Sequence, residues 1–269
     1  MCYCSDDRIE RPHLQSYKTT ISSMRRQLTL IVVASILAAC AASARADDAP
    51  WINLLDNPAL AAWQEENDGW IVAGDAALDP SDPQSLVSKP GQGVVISILQ
   101  GRANFRNLTS KQTFGDLEAH IEFLLPQRGN AGVKFLGLYE IQLLDSYGKQ
   151  QLTGDACGGV YPRAELRPRY HLLDKGIPPR INAAKPPGQW QTLDVVFQAP
   201  RFDADGKKTA HARFLKVVLN GQLVQENAEL KWPTGHAWRK EKEVPRGPLF
   251  LQGDHGPVAY RNVRVRAID

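Results

Sequence analysis

Residues Arg213–Val224 read RFLKVVLNGQLV. An Asn-Gly pair between two apolar runs is a strong hairpin signal, because both central turn positions need a positive φ that Asn and Gly tolerate. Asn220-Gly221 therefore commits its flanks to an antiparallel sheet. Working outward, other short β-prone runs are Gly93–Ile98, Leu117–Leu125, Gly132–Leu138, Tyr139–Leu144, Thr192–Gln198, Leu249–Gln252 and Val258–Ala267, parted by Gly, Pro, Asn and Asp. No repeat, low-complexity tract or long helical periodicity interrupts them. Strands at this spacing predict an all-β sandwich. Two segments read as loops: Gly148–Asp155, and Tyr161–Gly188, which holds six prolines. A loop of the second length in a compact domain usually carries function or moves.

The N-terminal region reads as a leader. From Met24 the sequence is MRRQLTLIVVASILAACAASARADDAP, with Arg25 and Arg26 ahead of an apolar run, Leu28–Ala39, too short to span a bilayer. Ala44-Arg45-Ala46 is a small-x-small cleavage site that releases a mature chain from Asp47. Leu37-Ala38-Ala39-Cys40 offers an alternative, the lipobox pattern that leaves an acylated Cys40 as an outer-membrane lipid anchor. Cleavage after Ala46 is preferred, because the tether from Cys40 to the first domain residues would be short. Both readings mean export, to the periplasm or beyond, or to a membrane-anchored lipoprotein. Residues 1–23 read as an upstream extension with Met24 the expected start, so 1–46 is leader and 47–269 a single domain.

Removing residues 1–46 also removes the net charge of +3, leaving a neutral chain with no basic block. A phosphate-tracking surface needs clustered cations, so nucleic acid is excluded as a partner. Cys157 alone remains beyond the leader, so no disulfide forms within residues 47–269. There is no HExxH, CxxC or Asp-rich calcium loop, no GxSxG elbow and no Cys-His signature.

Four stretches hold more polar chemistry than a sandwich requires. FGDLEAHIEFLLP alternates Leu117, Ala119, Ile121 and Phe123 with Glu118, His120 and Glu122; a solvated outer face is its ordinary reading. In YEIQLLDSYG, Glu140 and Gln142 share one face, and Asp145 joins them only if the strand ends or bulges after Leu144. INAAKPPGQW sets Lys185 on a Pro-stiffened loop before Trp190. PLFLQGDHGPVAYRNVRVR carries Gln252, Asp254, His255, Arg261 and Asn262.

Together these stretches, with CGGVYP and QTLDVVFQAPRFD, resemble the bacterial 3-keto-disaccharide hydrolase family. The order of motifs is kept: Gly-Asp-x5-Glu-Phe, an Asn-x-Gly-Val segment, the Tyr-Glu-x-Gln-x-x-Asp-Ser strand, a Pro-Pro-Gly-x-Trp loop and a terminal Leu-Gln-x-x-His-Gly…Arg-Asn. The resemblance covers Trp51 to Asp269. Ala131 stands where the family usually has Ser, Gln189 stands for Glu, and Arg163–Arg180 reads as an insertion at the substrate entrance. The family implies a concanavalin-like jelly roll of two curved antiparallel sheets with a concave, sugar-accepting face. By analogy with laminarinase-type glucanases of that architecture, Glu140-x-Gln142-x-x-Asp145 would aim all three side chains into one groove.

The resemblance further implies glycosides already oxidised at C3, and hence an upstream sugar 3-dehydrogenase. A C3 ketone acidifies the C2 proton, so the glycosidic bond can break by elimination, followed by hydration of the product. That chemistry needs a base, a group to stabilise the enolate, and an acid for the leaving oxygen. Glu140 or Asp145 is the expected base and His255 the acid. Lys185 or Arg261 would stabilise the enolate, while Gln142 and Gln252 bind hydroxyls. A divalent metal is a further option, with His120, Glu122 and Asp145 as ligands. The alternatives are an ordinary glucanase, a non-catalytic carbohydrate-binding module and a structural envelope lipoprotein.

Overall fold

The structure is a computed structural model that describes residues 49–56, 58–64, 69–97 and 107–268. The leader, Met24 and Cys40 lie outside the described residues. Among the described residues, sixteen strands and one short helix follow one another: β1 Ile52–Asn53, β2 Trp70–Asp79, β3 Asp82–Ser97, β4 Leu108–Phe114, β5 Leu117–Leu124, β6 Asn130–Phe135, β7 Tyr139–Leu144, β8 Ala164–Glu165, β9 His171–Leu172, β10 Gln191–Gln198, β11 Arg201–Phe202, β12 Lys208–Ala210, β13 Ala212–Leu219, β14 Gln222–Leu230, α1 Ala237–Lys240, β15 Gly247–Leu251 and β16 Val258–Ala267.

They form a concanavalin-like jelly-roll sandwich. The larger sheet runs β14-β13-β10-β5-β16-β3-β2, with β1 added to β16, and the smaller runs β4-β15-β6-β7. All their ladders are antiparallel. The predicted hairpin is β13–β14, with Asn220 at φ 51° and Gly221 at φ 78°. Replacing Gly221 with Ala should cost about 1 kcal/mol, the penalty of a Cβ in the left-handed region. Urea unfolding would read that cost as a lower midpoint at unchanged slope.

The core lies between the sheets because alternate residues of each strand point inward. Phe135 on the smaller sheet stacks on Phe197 at 5.3 Å and meets Phe214 edge-on at 5.3 Å, both from the larger sheet. Offset and edge-to-face rings at such distances add attraction beyond burial alone. Trp63 is fully buried, and its indole N–H donates to Leu54 O at 2.9 Å.

The outward face of the larger sheet is a charge ladder. Glu118 lies opposite Arg266, His120 opposite Asp194, and Glu122 opposite Arg261. Each pair is in contact, at 2.6 Å for Arg266 Nη2–Glu118, 2.6 Å for His120 Nδ1–Asp194 and 2.7 Å for Arg261 Nε–Glu122. Opposite charges directly across a sheet, as in Glu118–Arg266 and Glu122–Arg261, favour the register, and the His120–Asp194 hydrogen bond lies between them. Beside the ladder, Val94, Ile96, Leu124 and Ala259 form a second apolar cluster under Trp190.

Candidate active site

The smaller sheet presents its outward face as the floor of an open cleft of about 950 Å³. Register builds that floor. On β6 and β7, Lys134 lies opposite Glu140 and Gly132 opposite Gln142, while Val133, Ile141 and Leu143 point into the core. On β15, Phe250 pairs with Lys134, and Gln252 follows on the same side, its N–H donating to Gly132 O at 2.9 Å. Gln142 donates from Nε2 to Asn130 Oδ1 at 2.7 Å. The β15–β16 loop brings Asp254 and His255 to the same cleft.

Glu140 is the unusual member of this group. It is only 3 % exposed, yet among the described residues its carboxylate meets a single cation, Lys134 Nζ at 3.5 Å. Desolvation raises its pKa above the usual carboxylate range, and the attraction of Lys134 and His255 only partly offsets this. A buried Glu needs a narrow neighbour. A Cβ on Gly132 would lie 2.9 Å from Glu140 Cδ, so only glycine leaves room for the side chain to lie across β6. His255 Nδ1 hydrogen-bonds Asp254 Oδ1 at 2.6 Å. That bond is the main cause of a raised His255 pKa, with the field of Glu140 adding to it and burial opposing. Burial would raise the Asp254 carboxyl, but His255 and Asn107 hold it below its ordinary value. The cleft thus pairs a carboxyl that gains protons readily with an imidazole that keeps one.

A sequence profile of the 3-keto-alpha-glucoside-1,2-lyase-like domain matches residues 50–266. The chain belongs to this family. Among solved structures, it resembles a protein from Parabacteroides distasonis ATCC 8503 provisionally described as a glycosyl hydrolase. The two share 25 % identity over 81 % of this chain and 83 % of the other, with a TM-score of 0.59. A second protein from that organism, provisionally described in the same way, shares 18 % identity over 81 % of this chain and 99 % of its own, at a TM-score of 0.48. A search of curated proteins returned no match.

Of the residues picked out from the sequence of this lyase-like chain, Glu140, Gln142, Gln252 and His255 meet in the cleft. Asp254 lines it too, beside His255, whereas Asp145, Lys185, Arg261, His120 and Glu122 do not, which corrects the expectation of one shared groove. β7 ends at Leu144, as one option required, but the turn carries Asp145 away from the groove. Its N–H donates to Gly129 O and its carboxylate accepts from Arg128 N–H, each at 2.9 Å, at the β5–β6 turn. Lys185 donates from Nζ to Trp190 O at 3.0 Å. Arg261 stacks 4.1 Å from the Trp190 ring centroid and pairs with Glu122, on the outward face of the larger sheet. The expected metal set is likewise divided. His120 and Glu122 sit on that outward face, 3.8 Å apart, and Asp145 is at the turn. Among the described residues, no group of three His, Cys, Asp or Glu side chains is disposed to hold a metal ion.

Sequence reasoning passed over Lys134 and Asn107. Lys134 becomes legible only through register, since Gly132, Lys134, Glu140 and Gln142 share a face once β6 and β7 pair. Asn107, which accepts Gly253 N–H at 2.9 Å, carried no local signal.

Proposed function

We propose that the protein cleaves 3-keto-glucosides, with Glu140 taking the proton from C2. The observation that carries this reading is Glu140 itself, a desolvated carboxyl with a raised pKa, one cation beside it and an open cleft above it. A base with its pKa lifted toward neutrality is suited to abstracting a carbon acid's proton. The electron pair released at C2 moves onto the C3 oxygen, where the Lys134 ammonium stabilises the enolate. Collapse of the enolate expels the C1 oxygen, which takes its proton from His255, held charged by Asp254. Water then adds across the unsaturated sugar, returning the C2 proton and completing a net hydrolysis. Gln142, Gln252 and Asn130 hold the sugar hydroxyls.

An ordinary retaining glucanase needs two carboxyls flanking the bond, about 5 Å apart. Here the partner expected from sequence, Asp145, is bound at the turn, and Asp254 is committed to His255. Elimination needs one base and suits this floor better. The Met24–Ala46 leader supports action after export, with the ketone supplied by a separate sugar 3-dehydrogenase.

The test is turnover of a 3-keto-α-glucoside with a chromogenic leaving group beside its unoxidised parent, with and without chelator. Release from the keto compound alone supports elimination, and a chelator effect would add a metal requirement. Release from both compounds would support a glucanase, and saturable binding without release a binding module.

The pH profile of kcat/KM is a second expectation. Activity should rise through an acid limb above the usual carboxylate range, as Glu140 loses its proton. It should fall through an alkaline limb above the usual imidazole range, as His255 loses its own. Lys134 lowers the Glu140 pKa, so Lys134→Ala should move the acid limb to higher pH. An acid limb that stays in place would remove Lys134 from this role.

A further inference from the structure

The cleft is chemically two-ended. Its floor on β6, β7 and β15 is polar, and one wall comes from the insertion Arg163–Arg180, which contributes Leu166 and Tyr170. Tyr170 is 51 % exposed and Leu166 43 % exposed, high values for apolar side chains with nothing packed over them. Tyr161 joins the wall, and its hydroxyl is hydrogen-bonded to that of Tyr170 at 2.6 Å. With the hydroxyls engaged in each other, the two residues offer rings to an occupant.

This wall is fixed to the domain. Ala164 N–H donates to Gly235 O at 2.8 Å, and Trp238 Nε1 donates to Ala164 O at 3.0 Å. Leu173 N–H reaches Arg163 O at 2.8 Å, and the Arg163 guanidinium pairs with Asp174 at 2.8 Å. Beyond Leu166 and His236, which line both spaces, lies a side pocket of about 310 Å³. Arg167 and Arg239 border it, with Glu165. Arg239 is oriented by Glu165, at 3.1 and 3.3 Å, while Arg167 has no ion-pair partner among the described residues. Two guanidinium groups against one carboxylate leave this rim positive.

We propose that the insertion builds the leaving-group half of the cleft and that it takes an aromatic aglycone bearing a carboxylate. The inference rests on the reading that the cleft holds a glycoside. A second sugar would bring several hydroxyls to a wall of Leu166 and two ring faces, where few partners satisfy them. An aryl group covers the same wall without that cost and stacks on the rings. Its carboxylate reaches the side pocket, where a guanidinium binds it in a planar, two-pronged fashion. The insertion then selects the aglycone, while the sheet holds the sugar.

Binding of unoxidised glycosides tests this without any turnover, so its outcome is separate from that of the elimination chemistry. Calorimetric titration of the full chain would compare 4-carboxyphenyl α-glucoside, phenyl α-glucoside and a glucosyl-glucose disaccharide. At low salt the carboxyphenyl compound should bind about three- to tenfold tighter than the phenyl compound, the worth of rim ion pairs. The advantage should shrink at 1 M salt and disappear in Arg167→Gln/Arg239→Gln. Arg167→Gln alone, which disturbs no ion pair among the described residues, should remove part of it. Tyr170→Ala should weaken both aryl glucosides alike. Equal affinity for the two aryl compounds, tighter binding of the disaccharide, or a carboxylate preference untouched by the Arg variants would each overturn the proposal.

Discussion

Glu140→Gln is expected to lower kcat/KM on a 3-keto-α-glucoside by about 10³-fold, the worth of a positioned general base. Gln keeps the size and the hydrogen-bonding reach of Glu but cannot accept the C2 proton. The fold should survive, because the native carboxylate is itself the costly partner. It is buried, and among the described residues Lys134 at 3.5 Å is the one cation in contact with it. Linkage gives an independent reading of the same group. A folded-state pKa above the unfolded value means that the native state holds more protons between the two. Wild-type stability should therefore fall as pH rises from the unfolded carboxylate pKa through the raised folded one. Glu140→Gln should flatten that slope. Activity within tenfold of wild type, with both proteins folded, would sink Glu140 as the base.

The strands that pack one face on the core were legible because their alternation survives. β5 alternates apolar and polar from Leu117 to Phe123, and on β10 Leu193, Val195 and Phe197 hold the buried side at period two. β4 was not legible. Ser110 sits at a core-facing position, satisfied by bonding Gln112 O and Leu249 N–H, and the next three residues are exposed and polar. The distal half of the β2–β3 hairpin was hidden for a different reason. Pro83, Pro90 and Gly91 read as breaks ahead of the Gly93–Ile98 run, but they fall in a hairpin arm whose residues are mostly exposed, where prolines cost no buried ladder bond.

The site divides along the same line. That Glu140 and Gln142 share a face was legible because both lie on one strand, where period-2 reading suffices. Lys134 required the pairing of two strands. Lys185 turns back to Trp190 O within its own loop. Arg261, His120 and Glu122 lie off the cleft, because sequence cannot say which of the two sheets, or which side of it, a polar face belongs to. Here that polar face is the charge ladder of the larger sheet, away from the cleft. Asp145 shows the limit of spacing arguments: the turn after Leu144 re-aims it toward the Arg128 backbone, a partner that spacing could not supply.

Gly132→Ala is the second large effect expected, and it tests position rather than chemistry. The new methyl would lie 2.9 Å from Glu140 Cδ and 3.0 Å from Cγ, well inside carbon–carbon contact, so the carboxyl must move off β6. Displacing a catalytic group by about 1 Å can cost about 10²-fold in rate. Strand propensity is not the obstacle, since Ala loses less backbone entropy on folding than Gly. The variant should fold, bind glycoside and turn over slowly, with an acid limb moved by the altered distance between Glu140 and Lys134. A double-mutant cycle separates this from a general effect. If Gly132 acts only through the Glu140 side chain, Gly132→Ala/Glu140→Gln should be no slower than Glu140→Gln alone. Losses that multiply instead would mean that Gly132 serves the site by another route. The first such route to examine is its carbonyl, which accepts the Gln252 N–H at 2.9 Å and so sets the line of β15 along the cleft floor.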